Sequence, residues 1–206
     1  MDLRSLCGDM SRLAAVLLLL FKIYRKKSCA GVSDRTQVLI LMVYCTLYLD
    51  LFANYISIYD ITVKMLFVAF WLATIYLIYI KFKDACHQRE NFRIESIVVP
   101  LVPLSLLLNH EFSFMEILWI FSIYLEYLSV RPQLTMVMKI GKIESSIFYY
   151  ICVHCSYIAF FIINWIERYY EESFYENIAT VAGCIQTLVF LPFFYMYYNR
   201  VINKAK

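Results

Sequence analysis

The chain has 206 residues, 62% of them hydrophobic and 17% charged, with only four glycines and a formal net charge of +3. That is more apolar surface than one soluble core of this size buries, so a soluble globular domain is excluded and lipid is needed as a second solvent. The small net charge averages a basic face with an acidic one, and no nucleic-acid partner is expected.

Stretches of roughly 20 apolar residues, long enough to cross a hydrocarbon layer as helices that satisfy their own backbone, recur down the chain. The first predicted span runs from about Leu6 to Tyr24, and it is followed by basic residues rather than a small-residue cleavage site. It therefore reads as a retained span and not as a signal peptide. The second and third spans are Gln37–Ile58 and Ile61–Ile80. The fourth, Ser96–Leu108, is short and carries Pro100 and Pro103, but an odd total of spans is needed to reconcile the flanking charges. The fifth, sixth and seventh are Phe114–Val130, Ser145–Trp165 and Ile178–Tyr198.

Between spans, the basic residues alternate with connections that hold almost none. One set comprises Arg25, Lys26, Lys27 and Arg35, then Lys81, Lys83, Arg89 and Arg93, then Arg131, Lys139 and Lys142, and finally Arg200, Lys204 and Lys206 in the tail. These segments are expected to face the cytosol, because basic loops are retained on that side. The opposite connections hold Asp60, Glu111, Glu167, Glu171, Glu172 and Glu176, with Arg168 as their one cation, which places the N-terminus in the lumen and the C-terminus in the cytosol. Tyr and Phe total 34 and crowd the span ends, as interfacial belts do.

The seven cysteines lie mostly inside spans or on the reducing side, so no disulfide framework is expected. The sequence Cys152-Val153-His154-Cys155 has no second cluster at ligand spacing, and neither a metal nor another cofactor is expected.

Spans one and five run in the same sense and end in similar basic corners, with Lys26 matching Lys139. The expected fold is all-α, a single seven-helix membrane domain over 1–206. It consists of two parallel three-helix repeats, at about 1–80 and 114–198, joined by a short helix at about 96–109, with residues 199–206 as a tail. Parallel repeats of this kind place a binding cavity between the units.

Inside the spans, each ionised side chain costs roughly 2.5–3.5 kcal/mol to insert, so it requires a partner or a wet cavity. On span two, Leu47, Asp50 and Asn54 share a face, with Tyr48 adjacent. On span five, Glu116, Trp119 and Glu126 share another, with the two carboxylates roughly 15 Å apart along the axis. On span six, His154, Tyr157, Phe161, Asn164 and Arg168 follow a helical stripe. Span one adds Arg4 and Arg12. Acids, bases and aromatics delivered to one level by four spans suit a small multiply charged ligand such as a short peptide, whereas structural ion pairs such as Arg12 with Asp50 are the plainer alternative.

The stretches SCAGVS, YLDLFANYISIYD, FRIE, LLNHEF, MEILWIFSIYLE, PQL, NWIERY and IATVAG follow one another in an order and spacing that resemble the KDEL receptor family, the ER lumen protein-retaining receptors. The resemblance covers almost the whole chain. It implies a seven-helix, PQ-loop-like receptor, not an enzyme, resident in ER and Golgi membranes. Such a receptor binds the C-terminal tetrapeptide of soluble ER proteins and returns them through coatomer-coated vesicles. It further implies that Glu116, Trp119 and Glu126 engage or gate the ligand's basic end, that Asn54 belongs to the site, and that the segment from Ile158 to Arg168, including Trp165, adds contacts.

The chain also departs from that pattern. Where the family places arginines it has Ser5, Leu47 and Ile158, keeping Arg168; Arg4 and Arg12 are candidates to replace the lost cations. Arg12 stands where the family has a histidine tied to pH-dependent binding, and arginine does not titrate in that range. His154 is the candidate substitute switch. In the tail, Arg200, Lys204 and Lys206 are candidates for the return signal, and Pro192 replaces a family aspartate used in return transport. A small-solute carrier, or a relative with an altered or lost ligand, is the alternative reading.

Overall fold

The computed structural model describes residues 3–49, 58–86, 92–108, 112–140, 144–172 and 177–205. Side chains are described for all of these except 3–5, 58–60, 161, 165, 167–172, 177–182 and 200–205. Every regular element among the described residues is helical: α1 (Leu3–Lys26), α2 (Asp34–Leu47), α3 (Ile58–Tyr76), α4 (Lys83–Cys86), α5 (Glu95–Leu108), α6 (Phe114–Ser129), α7 (Arg131–Ile140), α8 (Ser145–Glu172) and α9 (Asn177–Ala205).

Six of the predicted spans lie on helix over nearly their whole length, and the second begins on α2, which ends at Leu47, with residues 50–57 of that span outside the described residues. Among the described residues two stretches, Ile61–Lys81 and Ser145–Asn164, are long and apolar enough to cross a membrane. The short proline-bearing fourth segment is helical, with both prolines inside α5. The segment after span five, expected as a basic connection, instead forms the amphipathic helix α7, which buries Pro132, Gln133, Leu134, Met136 and Val137. The apolar residues Leu134 and Val137 recur at helical spacing there, and that pattern outweighs the charge of its ends.

Helix α2 is the pivot of the packing. Leu39 and Val43 join Ile97 and Leu101 of α5 and Ile120 and Leu125 of α6 in one apolar cluster. Ile40 and Tyr44, turned to the other side, join α1, α3, α7 and α8 in a second. A spacing of four residues puts each pair on its own face, so one helix serves two cores. The most extensive pairings of helices are α1 along α8 and α2 along α6.

Helix α3 does not end in a simple cap. It continues as a π-helical turn, Leu77–Lys81, closed by the Phe82 amide donating to the Leu77 carbonyl at 2.9 Å, and α4 follows at once. The corner from α1 to α2 is built around Gly31, whose φ of +77° belongs to the left-handed region that glycine enters without steric cost. Ser33 caps α2, its hydroxyl accepting from the Thr36 amide at 3.2 Å.

Gln133 of α7 holds that corner. The Ser33 amide donates to Gln133 Oε1 at 2.8 Å, Gln133 Nε2 donates to the Gly31 carbonyl at 2.7 Å, and the Gln133 amide donates to Thr36 Oγ1 at 2.9 Å. Beside it Lys22 donates to the Ala30 carbonyl at 2.6 Å, and both Lys22 and Lys26 pair with Glu144. No disulfide framework was expected, and one bond is present: Cys29 joins Cys86, bringing their Cα atoms to 4.8 Å. Residues 57 apart in sequence meet only because α1 and α3 pack side by side.

Candidate functional site

The charged centre of the molecule is Arg12, about two and a half turns into α1 on its buried face. Its guanidinium Nη2 donates to Glu126 Oε1 of α6 at 2.9 Å, and both side chains are largely withdrawn from solvent, at 7% and 15% exposure. The Tyr157 hydroxyl of α8 donates to the same carboxylate oxygen. One anion is thus shared by a cation and a phenol from two other helices.

Aromatic faces complete the enclosure. The Arg12 Cζ lies 4.3 Å from the Tyr157 ring centre, 5.6 Å from that of Tyr44 and 5.7 Å from that of Phe67. Tyr44 stacks on Phe67 and Trp71 and tilts against Tyr48. A guanidinium over ring faces gains electrostatic attraction while remaining dry, and this lets a permanent charge sit in an apolar interior beside its counter-ion.

Glu116, Trp119 and Glu126 share α6, but their environments differ. Glu126 is in the cluster, Glu116 is half-buried in the first turn, and Trp119 is 36% exposed. Tyr48 and Tyr157 are buried in the cluster, and Leu47 packs against it. Asn164 is half-buried on α8. Ile158 is buried and lines an apolar groove between α8 and α9 with Cys155, Ile162, Phe190 and Phe194. His154 is buried, its ring centre 5.3 Å from that of Tyr157, and its Nε2 makes no hydrogen bond among the described residues.

Asp50, Asn54 and Lys206 lie outside the described residues, as do the side chains of Arg4, Ser5, Phe161, Trp165, Arg168, Arg200 and Lys204. The pairing of Arg12 with Asp50 considered from sequence therefore goes untested, and the partner observed for Arg12 is Glu126.

Three contributors were not singled out from sequence. Lys64 of α3 sets its ammonium 5.4 Å from the Tyr48 ring centre. Tyr44 and Phe67 form the walls around Arg12. A lone lysine in the apolar run from Ile61 to Ile80 was a usable signal, because it carries the same insertion penalty as the arginines. The aromatic walls had none, since they read like any other core residues.

A helical protein with an apolar exterior and a buried ion pair shared by several helices belongs among membrane proteins that place polar side chains where they act. Comparison with known proteins narrows this. A model of the ER lumen protein retaining receptor family matches residues 28–168. The chain is 46% identical to ER lumen protein-retaining receptor 2 of Gallus gallus, across 100% of this chain and 98% of the relative. It is 45% identical to the ER lumen protein-retaining receptor of Drosophila melanogaster, again across 100% and 98%. With that of Caenorhabditis briggsae the identity is 44%, across 100% and 97%. The chain belongs to the ER lumen protein retaining receptor family.

Proposed function

We propose that this chain is a receptor for the C-terminal KDEL- or HDEL-like tetrapeptide of soluble ER proteins, which it binds in the Golgi and returns to the ER in coatomer-coated vesicles. The observation that carries the reading is the Arg12–Glu126–Tyr157 cluster: a buried carboxylate held by a cation and a phenol is a poised exchange point for a ligand bearing both signs of charge.

The ligand's basic end competes for Glu126, with Glu116 and Trp119 on the same helix as its further contacts. Its carboxylates take up the cations. Arg12 swaps part of its bond to Glu126 for a ligand carboxylate, Lys64 approaches across Tyr48, and Arg4 and Arg168 supply the remaining charge. Asn54, Asp50, Asn164 and Trp165 complete the set. Because every charge-assisted bond contributes roughly 1.5–3 kcal/mol, three such bonds suffice to hold a short acidic peptide.

The same reading takes the chain as one seven-span domain of two parallel three-helix units joined by α5. The reciprocal packing of α1 on α8 and α2 on α6 supports this, since it pairs the first helix of each unit with the second of the other. The N-terminus is lumenal, and the end of α9, with Arg200, Lys204 and Lys206, meets the coat in the cytosol. Binding of fluorescent Lys-Asp-Glu-Leu and His-Asp-Glu-Leu peptides to the purified protein, at mildly acidic and near-neutral pH, tests the reading. Saturable binding that a C-terminal amide abolishes is expected. Absence of binding together with uptake of a neutral solute into proteoliposomes would replace the receptor by a carrier.

A further inference from the structure

The Cys29–Cys86 bond plays no part in the ligand site, and its placement gives it a different role. Cys29 sits in the α1–α2 corner, the segment that Gln133 and Lys22 already fix to the body of the protein. Cys86 is the last residue of α4, a single turn of four residues. A helix that short does not hold itself. Its own bonds are local: the Ala85 and Cys86 amides donate to the Phe82 carbonyl at 3.1 and 3.0 Å, just past the π-helical turn. At that end the Tyr79 hydroxyl donates to Asp34 Oδ2 at 3.0 Å, and the sulfur bridge adds the covalent tie between α4 and the corner where α1, α2 and α7 meet.

Two further features bear on its chemistry. Lys26 and Lys27 precede Cys29, and Lys83 is three residues before Cys86; all three are exposed. Exposed cations attract anionic partners. In addition, the orientation taken under the proposed function places this corner in the cytosol, where a disulfide does not persist by default.

We propose that Cys29 and Cys86 form a reversible redox clasp, closed by thiol–disulfide exchange with glutathione disulfide, that fastens the α3–α4 end to the α1–α2 corner. The Cys86 thiolate attacks one sulfur of glutathione disulfide, which expels one glutathione thiolate and leaves a mixed disulfide. The Cys29 thiolate then attacks Cys86 Sγ and expels the second. The protein dithiol is oxidised by two electrons, one glutathione disulfide is reduced to two glutathiones, and the two thiol protons pass to the departing thiolates. The cytosolic location rests on the proposed orientation, whereas the exchange chemistry does not.

Full-length protein in phosphatidylcholine nanodiscs, equilibrated across a series of reduced-to-oxidised glutathione ratios, denatured and labelled with polyethylene-glycol maleimide, reports the state as a thiol count. All seven cysteines are expected to label at the reducing end and five at the oxidising end, with a midpoint that is the same from both directions. Cys86→Ser should label six throughout.

Seven thiols at every ratio, five at every ratio, or the same loss of two in Cys86→Ser would each overturn the clasp. Hydrogen exchange over residues 77–86 should be roughly tenfold faster in the reduced protein, and independent of redox state in Cys86→Ser; equal rates in both wild-type states would remove its mechanical role. A glycosylation acceptor appended after Lys206 and found glycosylated in cells would sink the orientation alone and leave the clasp standing.

Discussion

Arg12 and Glu126, 114 residues apart in sequence, meet at 2.9 Å in the interior of the helix bundle, with side-chain exposures of only 7% and 15%. The pair explains how this chain carries an arginine where its family resemblance implies a histidine. The added positive charge has a fixed anion, a phenol on the same oxygen and three aromatic faces around it.

Removal of one partner strands the other charge in a dry site. Arg12→Ala is expected to destabilise the protein by about 3–5 kcal/mol, while the double replacement Arg12→Leu with Glu126→Gln should recover most of the loss. Thermal unfolding of the purified variants in one detergent checks both. The same Arg12→Ala variant should bind the acidic peptide more weakly; unchanged affinity would show that Arg12 serves stability and not the ligand.

A guanidinium stays charged throughout the range from the Golgi to the ER, so it contributes no proton-linked step to binding. Arg12→His installs a group that gains its charge as pH falls through the region between about 5 and 8. If that cation favours binding, affinity in the variant rises toward acid more steeply than in the natural chain. Peptide titrations across that range measure the difference, and parallel profiles would remove position 12 from the pH response.

Lys64 approaches the Tyr48 ring from α3 and is read as a ligand cation. Lys64→Gln keeps a polar side chain of similar length and removes the charge. Affinity for the tetrapeptide should fall roughly tenfold or more, the loss of about 1.5–3 kcal/mol expected for one charge-assisted bond. The effect should weaken for peptides whose acidic residues are amidated. Equal affinities for wild type and variant would confine Lys64 to packing on Tyr48.

Gln133 makes three hydrogen bonds to the α1–α2 corner, two of them through its side chain. Gln133→Leu leaves the Ser33 amide and the Gly31 carbonyl without that partner, at about 1–3 kcal/mol for each buried group. Gln133→Glu does not rescue, because a carboxylate accepts from Ser33 but repels the Gly31 carbonyl. Unfolding midpoints ordered wild type first, with both variants well below, are the expected result.

Much of the fold was legible in the chain because spans announce themselves through uninterrupted apolar length. Among the described residues most of each stretch is helical, and even Pro100 and Pro103 did not break α5. Helix α7 was missed for a physical reason: its basic ends read as a loop, whereas burial of Leu134, Val137 and Gln133 depends on neighbours that are distant in sequence. Glu126, Tyr157 and Arg12 were all singled out by their place in apolar helices, yet their common meeting point was not. A stripe gives the face of one helix and carries no information about which other helix it touches.

The sequence by itself determined the class of the protein, its apolar helices and its family, since these follow from local apolar length and from motifs in a fixed order. Only the tertiary structure decided that Arg12 takes Glu126 as its counter-ion, that Gln133 locks the corner at Gly31, and that Cys29 reaches Cys86. Each is a contact between helices far apart in the chain, and such partners are fixed by how whole helix faces pack, which no single stretch of residues encodes.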